Sequence, residues 1–368
     1  MSLDWLLGPQ LRAFAAAGFE VVGVSAAGAH VSAIEAAGIR HIAVESLTRS
    51  NDPLADLRAL RDLVRVFRRE RPAIVHTHNP KPGVLGRIAA RIARVPVIVN
   101  TQHGLWAQPD DRLCRRLPVY VIERIAAACS HAELVQNPED AETLIRTLRV
   151  PARRVRVLGN GIDLGRFDPD LVTGARERLR SEWGVGTDEV VIGVVGRLVW
   201  EKGIREILDA ASQLRALAVA ARLVVIGPME SDKSDALAAS DVERARAAGV
   251  VFTGTRHDMP ECYAAIDIFV TGTYREGFPR AAMEASAMGL PIIATDVRGC
   301  RQVVDNGVTG VLVPARSADA LAAAMNDLVT HPDRCSAMGA AARRRALAEF
   351  DQQRVIDLTL RTYARLGH

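Results

Sequence analysis

The sequence predicts an α/β protein made of two doubly wound, parallel-sheet domains in tandem. Three observations predict it. Short β-branched runs alternate with helical patterns along nearly all 368 residues, the signature of βαβ units. That length exceeds one typical domain. The alternation is interrupted once, by the turn-rich Asn160-Gly161-Ile162-Asp163, and then resumes. The expected division is an N-terminal Rossmann-like domain over 1–162, a C-terminal one over 163–345, and a C-terminal helix over 346–368 packing back toward the first. Two such sheets are expected to face a cleft lined by C-terminal strand ends, where ligands of doubly wound sheets bind.

The first series opens with helical spacing over 4–17, closed by Gly18. Strands follow over 20–24 and 39–44, with a helix over 31–37 between them. A long basic amphipathic helix covers 53–69, and a strand covers 73–76. The loop Thr77-His78-Asn79-Pro80-Lys81-Pro82-Gly83 leads into a helix ending near Arg94. A strand over 96–101 carries Gln102-His103-Gly104 at its C-terminal end. A helix over 112–129, bent at Pro118, precedes a strand over 132–136, a helix over 139–146 and a strand over 155–158. Domains of this kind open with a strand that becomes central in the sheet. This one opens with a helix, so one strand of about ten residues is expected upstream of Met1. The second series places strands at 190–195, 222–226, 250–252, 266–271, 291–295 and 310–313, with helices between and three helical stretches after 318.

Net charge is +4, unevenly spread. Residues 1–165 hold 22 Lys+Arg against 16 Asp+Glu, and the remainder 25 against 27. The excess concentrates at 58–94, where ten basic residues face only Asp62 and Glu70. Such asymmetry suits solvated helix faces, or an anionic membrane surface. Nucleic acid is not expected, because the basic stretch lacks interleaved aromatics and no reader motif is present. Five widely spaced cysteines match no zinc or redox pattern. A reducing cytoplasm is the expected setting. No signal peptide or membrane span is visible, so any membrane contact is expected to be peripheral, at the inner face.

The chemistry concentrates at two places in the second half. Gly196-Arg197-Leu198-Val199-Trp200-Glu201-Lys202-Gly203 follows its first strand. Gly196 allows close backbone approach, and Arg197 and Lys202 flank a helix start. Two cations and a helix N-terminus can together hold a diphosphate. Farther on, Glu276 and Glu284 are eight positions apart. Pro279 suits a first helical position, and Gly289 and Pro291 stop the helix. Glu276 then lies in the loop before that helix and Glu284 within it. Carboxylates at an anion-binding end are placed to accept hydrogen bonds from hydroxyls of a ligand whose phosphate sits nearby. A sugar joined to a nucleoside diphosphate has both features. Asp168-Pro169-Asp170 resembles a metal pair, but it follows the interruption and is expected to lead into a helix from Leu171. No metal or other cofactor is expected, because the basic residues already meet the diphosphate.

The segments GRLVWEKG, EGFPRAAME and GLPIIATDVRGCRQVVDNGVTGVLVP resemble the retaining family 4 glycosyltransferases of the GT-B fold. So do NGID, VQNPED and IVHTHNPKPGVLGRIAARIARVPVIVNTQHG, which lean toward the capsule and exopolysaccharide branch. The resemblance implies a transferase moving a sugar from a nucleotide sugar, a UDP-sugar by first expectation, to a sugar or lipid-linked acceptor with retention. It implies that Arg197 and Lys202 bind the donor diphosphate, and that Glu276 contacts the transferred sugar. Gly277, Phe278 and Pro279 would bring backbone amides to sugar and phosphate, and Glu284 would bind the ribose. Thr253, Gly254 and Arg256 would lie near the base, and His103 would reach the donor sugar. His76 and His78 are divided between loop packing and acceptor contact. Relatives also carry a Gly-Gly loop after the first strand, which here would fall at or before Met1-Ser2-Leu3. Two rivals are a nucleotide-sugar 2-epimerase and a non-catalytic nucleotide-sugar binder.

Overall fold

The computed structural model describes residues 7–28, 30–48, 52–78, 80–107, 111–230 and 235–367. The expected upstream strand and the Met1-Ser2-Leu3 segment lie outside them. The chain forms two compact units, one of Met1–Gly159 with Gln353–His368 and one of Asn160–Gln352. The boundary expected at 162/163 therefore falls at 159/160. The C-terminal segment joins the first unit from Gln353 rather than from 346, because Ala346 and Phe350 are buried in the second unit's core.

In the first unit, α1 (Gly8–Ala16), β1 (Val22–Ser25), α2 (Val31–Ala36) and β2 (Arg40–Ala43) are followed by α3 (Pro53–Glu70), β3 (Ile74–His78) and α4 (Pro80–Ile92). Then come β4 (Val97–Gln102), α5 (Leu113–Cys129), β5 (Ala132–Val135), α6 (Pro138–Glu142) and β6 (Val155–Val157). All pairings are parallel, in two sheets ordered β1-β2 and β3-β4-β5-β6. Two expectations change here. Thr77 and His78, expected in the loop, continue the strand, and Lys81 to Gly83 are helix, because Pro80 opens α4. A proline fits there, its missing N–H being one that a helix start leaves unpaired anyway. The helix expected over 139–146 is α6 followed by a π turn at Thr143–Thr147.

Strand alternation sorts the core onto two faces. Val97 and Val99 pack with Phe14 of α1, whereas Ile98 packs with Leu63, Val64 and Phe67 of α3. Asp52 caps α3 by accepting from the N–H groups of Leu54 and Ala55, and Arg71 in the left-handed conformation ends it. At the centre of this unit lies a buried charge network. Arg87 donates to Glu133 at 2.9 Å, to Glu123 at 2.6 Å and to the Gly83 carbonyl at 2.9 Å. Asn100 donates to Glu133 and Gln102 to Glu123.

The second unit contains α7 (Ala175–Glu182), β7 (Val190–Val195), α8 (Ile204–Ala216), β8 (Ala221–Ile226), α9 (Ala239–Ala247), β9 (Val251–Gly254) and α10 (Met259–Ala264). It continues with β10 (Ile268–Thr271), α11 (Arg280–Ala287), β11 (Ile292–Thr295), β12 (Gly310–Val313), α12 (Ala318–Thr330) and α13 (Pro332–Glu349). Its six strands form one parallel sheet in the order β12-β11-β10-β7-β8-β9. This order reverses direction beside β7, the arrangement that opens a ligand crevice at the C-terminal strand ends. The final helix α14 (Gln352–Leu366) buries Val355, Ile356 and Tyr363 against Val97, Val99 and Leu134 of the first unit. The helix expected from Leu171 does not start there. Pro169–Leu171 is one 3-10 turn, and α7 begins after Gly174, whose φ is +69°. Asp168 receives the Asp170 N–H and pairs with Arg343 at 2.8 Å. Among the described residues no group of three or more metal-ligating side chains is assembled.

The turn-rich Asn160-Gly161-Ile162 segment pairs with the end of α13. The Ile162 N–H donates to the Phe350 carbonyl at 2.8 Å, and the Gln352 N–H to the Ile162 carbonyl at 3.0 Å. A Cβ at Gly161 would lie 2.5 Å from the Gln352 Cα. Gly161→Ala is therefore expected to destabilise the second unit by about 1–3 kcal/mol through overpacking against backbone. Urea denaturation measures this, and an unchanged midpoint would refute it.

Candidate active site

Three strand ends and three loops of the second unit meet through their backbones. The Gly196 N–H donates to the Ile226 carbonyl after β7, and the Gly227 N–H to the Gly254 carbonyl after β8, each at 2.9 Å. A Cβ at Gly227 would fall 1.9 Å from the Gly196 oxygen, so the two loops touch only because that residue is glycine. A Cβ at Gly196 or Gly254 would meet open space. These backbones are thus exposed to an approaching ligand on the crevice side of the strand ends.

The β7 loop ends in a 3-10 turn, Trp200–Lys202, and Gly203 at φ +67° starts α8. A Cβ on Gly203 would fall 1.9 Å from the Gly272 oxygen after β10. The Glu201 carbonyl accepts from the Tyr274 N–H at 2.9 Å and from the Thr273 hydroxyl at 3.3 Å. The Thr295 hydroxyl at the end of β11 donates to the Thr273 carbonyl at 2.5 Å. A Cβ on Gly299 would lie 2.6 Å from the Glu276 carbonyl. The loops carrying Arg197, Lys202 and Glu276 are thereby held in fixed register.

Their side chains already pair with one another. Lys202 Nζ lies 2.5 Å from Glu276 Oε2, both side chains about a quarter exposed. Arg197 donates to Glu230, beyond β8, at 2.9 Å. Sequence spacing showed Lys202 and Glu276 as separate motifs 74 positions apart. Glu230 was missed, since nothing near it marks a function. Cys300 is buried beside this loop. Burial first, then the Glu276 charge, pushes its thiol up to about 12, so it is inert as a nucleophile.

Glu284 sits in α11 and is nearly buried. It accepts from the Tyr263 hydroxyl and from Arg280 Nε, each at 3.0 Å. Burial raises its pKa against the pull of Arg280. Two oxygens holding two donors leave further lone pairs for a ligand hydroxyl. Pro279 is the N-cap of α11 rather than its first residue, and no side chain caps that end. Phe278 stacks edge-on against Phe350 at 6.1 Å, anchoring the loop to the core. Gly277, between Glu276 and this anchor, is half-buried.

Thr253 and Gly254 lie at the end of β9, with Gly254 exposed at φ +71°. Arg256 is committed elsewhere. It grips Asp258 through two hydrogen bonds of 2.8 and 2.6 Å and reaches Glu182 at 2.6 Å. Its guanidinium organises the loop before α10, and the exposed Gly254 is what this segment offers a ligand.

His103 belongs to the first unit, in a ladder of three imidazoles. His78 Nδ1 is 3.0 Å from His103 Nε2, and the Gln136 amide is 3.1 Å from His103 Nδ1. His76 stacks on His78 with ring centroids 4.3 Å apart. It contacts the Tyr363 hydroxyl at 2.5 Å and the Thr101 hydroxyl at 2.7 Å. With the Gln136 amide donating to Nδ1, His103 carries its proton on Nε2 and donates to His78. Burial holds His76 down to about 3 and His103 to about 4, with His78 well below the ordinary imidazole range. All three are neutral at physiological pH. The unfolded chain binds protons near pH 6.5, so it gains charge there while the fold does not. This contribution to stability is complete above about pH 6.5 and falls as pH drops toward about 4. Urea midpoints measured across that window should decline, less steeply in His103→Gln. A flat profile for the parent would contradict it.

Comparison with known proteins follows the same division. Residues 175–345 match the family described as glycosyl transferases group 1, and residues 10–166 match Glycosyltransferase Family 4. The chain is 31% identical over 279 residues to an Escherichia coli UDP-Gal:alpha-D-GlcNAc-diphosphoundecaprenol alpha-1,3-galactosyltransferase, covering 75% of this chain and 71% of that one. It is 29% identical over 308 residues to the Staphylococcus aureus capsular polysaccharide biosynthesis glycosyltransferase CapM, covering 81% and 78%. Among solved structures, a Rickettsia africae glycosyltransferase superposes with a TM-score of 0.81 at 18% identity, covering 99% of this chain and 95% of that one. Anabaena HepE in complex with UDP-glucose superposes with a TM-score of 0.75 at 21% identity, covering 92% and 90%. The architecture is that of GT-B proteins, and these matches lend no support to an epimerase or to a non-catalytic binder.

Proposed function

Because this chain belongs to the family 4 glycosyltransferases, we propose that it transfers a sugar from a UDP-sugar to an acceptor hydroxyl with retention, in the synthesis of a cell-surface polysaccharide or glycolipid. The observation that carries this reading is the pairing of Lys202 with Glu276 across two interlocked loops, with Arg197 on the first loop and Glu284 in the helix that follows the second. A nucleoside diphosphate and a sugar together satisfy that set. The phosphates take Arg197 and Lys202, and the freed Glu276 accepts from sugar hydroxyls. Glu284 takes the ribose hydroxyls, and the open backbone at Gly254 lies toward the base.

In the reaction, the bond from C1 to the phosphate oxygen breaks and its electron pair passes to the diphosphate. Arg197, Lys202 and the positive N-terminal end of α11 stabilise that charge as it develops. The acceptor oxygen bonds to C1 from the same face, and its proton passes to the leaving phosphate. No protein nucleophile is required. His103 holds both ring nitrogens in hydrogen bonds, to His78 and to Gln136, so a sugar hydroxyl would have to displace one of them. The diphosphoundecaprenol named for the Escherichia coli relative supports a lipid-linked acceptor, with this protein in the cytoplasm and in peripheral contact with an anionic membrane. Among the described residues no helix is long and apolar enough to cross a membrane.

A thermal-shift panel of UDP-, GDP- and ADP-sugars tests the donor, since a ligand bound by the folded state raises the midpoint. A shift with UDP-sugars alone is expected. A shift only with GDP- or ADP-sugars would replace the donor, and no shift with any would overturn the reading. Retention is tested by the anomeric configuration of the product by NMR.

A further inference from the structure

Helix α5 is built the wrong way round for a surface helix. Its core-facing side holds Tyr120, Glu123, Ala126 and Ala127, with Glu123 in the Arg87 network. Its outward side holds Leu113, Leu117, Val121, Ile122 and Ile125, each 48–63% exposed. On a helical wheel the outermost positions, 114, 117, 118, 121, 125 and 128, are all apolar. The exposed Arg115 and Arg124 lie on opposite flanks of that stripe. A helix apolar on both sides needs a cover.

A second feature adjoins its C-terminal end. Cys129 closes α5, and two residues later His131 lines an open depression with Arg91, Arg94, Val95 and Pro96. Arg154 borders it, donating to the Ser130 carbonyl at 3.3 Å. No carboxylate is among the residues lining it. His131 Nδ1 accepts from the Ile98 N–H at 2.9 Å, which leaves Nε2–H as a donor. Ile92, next to Arg91 at the end of α4, is 47% exposed, and α4 packs on α5.

We propose that α5 lies in the interface of an anionic membrane, its outward stripe among the acyl chains and the Arg91, Arg94 and His131 depression on a headgroup phosphate. An apolar stripe flanked by arginines, ending at a basic pocket, matches the two layers of an anionic leaflet. A second copy of the chain fits less well, because Arg112, Arg115, Arg116 and Arg124 would meet their own kind, and α5 offers only the buried Glu123 against them. The basic face of α3 is a weaker candidate, since Arg65 pairs with Asp62 and Arg69 with Glu70. The proposal deepens the peripheral contact suggested above and rests on it only for its orientation toward a lipid-linked acceptor.

Co-sedimentation of the full chain with equimolar phosphatidylglycerol and phosphatidylcholine vesicles tests it, beside vesicles of phosphatidylcholine alone. The parent should bind the anionic vesicles, and added salt should weaken that binding. Val121→Ser with Ile125→Ser should lower the bound fraction on the order of tenfold. Arg91→Gln with Arg94→Gln should erase the preference for the anionic lipid. Both variants should keep the parent's thermal shift with UDP-sugars, which separates lost docking from lost folding. Unchanged vesicle binding in both would overturn the proposal, as would binding lost only on neutralising Arg65, Arg68 and Arg69. So would light scattering showing a dimer that Val121→Ser with Ile125→Ser makes monomeric. Vesicle binding without any nucleotide-sugar shift would leave this surface standing and sink the donor assignment instead.

Discussion

Arg197→Ala is expected to lower kcat about 30- to 1,000-fold, equivalent to about 2–4 kcal/mol of lost transition-state stabilisation. In the proposed reaction the guanidinium meets charge that grows on the diphosphate as the glycosidic bond opens, so its loss should act on turnover more than on donor affinity. Stability should barely change. In the unliganded protein Arg197 pairs with Glu230 across a partly exposed loop, and such pairs contribute about 0–1 kcal/mol. Glu230→Gln should leave turnover near the parent value, which separates the cation's role from that of its resting partner. Steady-state kinetics with the donor found in the thermal-shift panel measures both. An unchanged kcat in Arg197→Ala would remove it from the reaction.

The largest stability effect is expected far from this chemistry. Arg87 is fully buried between Glu123 and Glu133, themselves almost fully buried. Arg87→Met should destabilise the first unit by about 3–5 kcal/mol, because two carboxylates stay buried without their cation. The two charges raise the arginine's pKa against the effect of burial. Adding Glu123→Gln and Glu133→Gln should recover much of the loss, since neutral amides keep bonds of the same length without the charge. Urea denaturation of the three proteins measures it. A cost below about 1 kcal/mol for Arg87→Met would mean that water reaches the network.

The alternation of β-branched runs with helical patterns was enough to read two units of parallel strands, though the first unit's strands divide into two sheets, β1-β2 and β3-β4-β5-β6. Boundaries failed where two signals compete. Thr77-His78-Asn79-Pro80 reads as turn chemistry, yet His76 and His78 take one side of β3 while Thr77 bonds Asn100 on the other. The alternation won over local propensity. Arg197, Lys202, Glu276 and Glu284 were legible because each follows or begins an element with a recognisable break. Their partners were not. Glu230 lies 33 positions from Arg197, and Tyr263 lies 21 from Glu284. The Arg87 network spans 46 positions and resembles ordinary helix and strand charge in sequence. Spacing encodes which face a residue takes, but not which residue the fold brings opposite.

If the proposed donor site is right, the ion pairs at Arg197 and Lys202 make it an exchanger rather than a receptor with bare charge. On the proposed reading, an incoming diphosphate would trade places with Glu230 and Glu276, so few bulk counterions would be released. Nucleotide affinity should therefore depend only weakly on ionic strength, unlike the proposed docking of α5 to an anionic membrane. The exchange also discriminates. A singly charged anion gains little over the carboxylate it displaces, whereas a diphosphate can replace both at once. Glu276 is released to the sugar only when that trade is complete, so an occupant without phosphates leaves the carboxylate locked on Lys202.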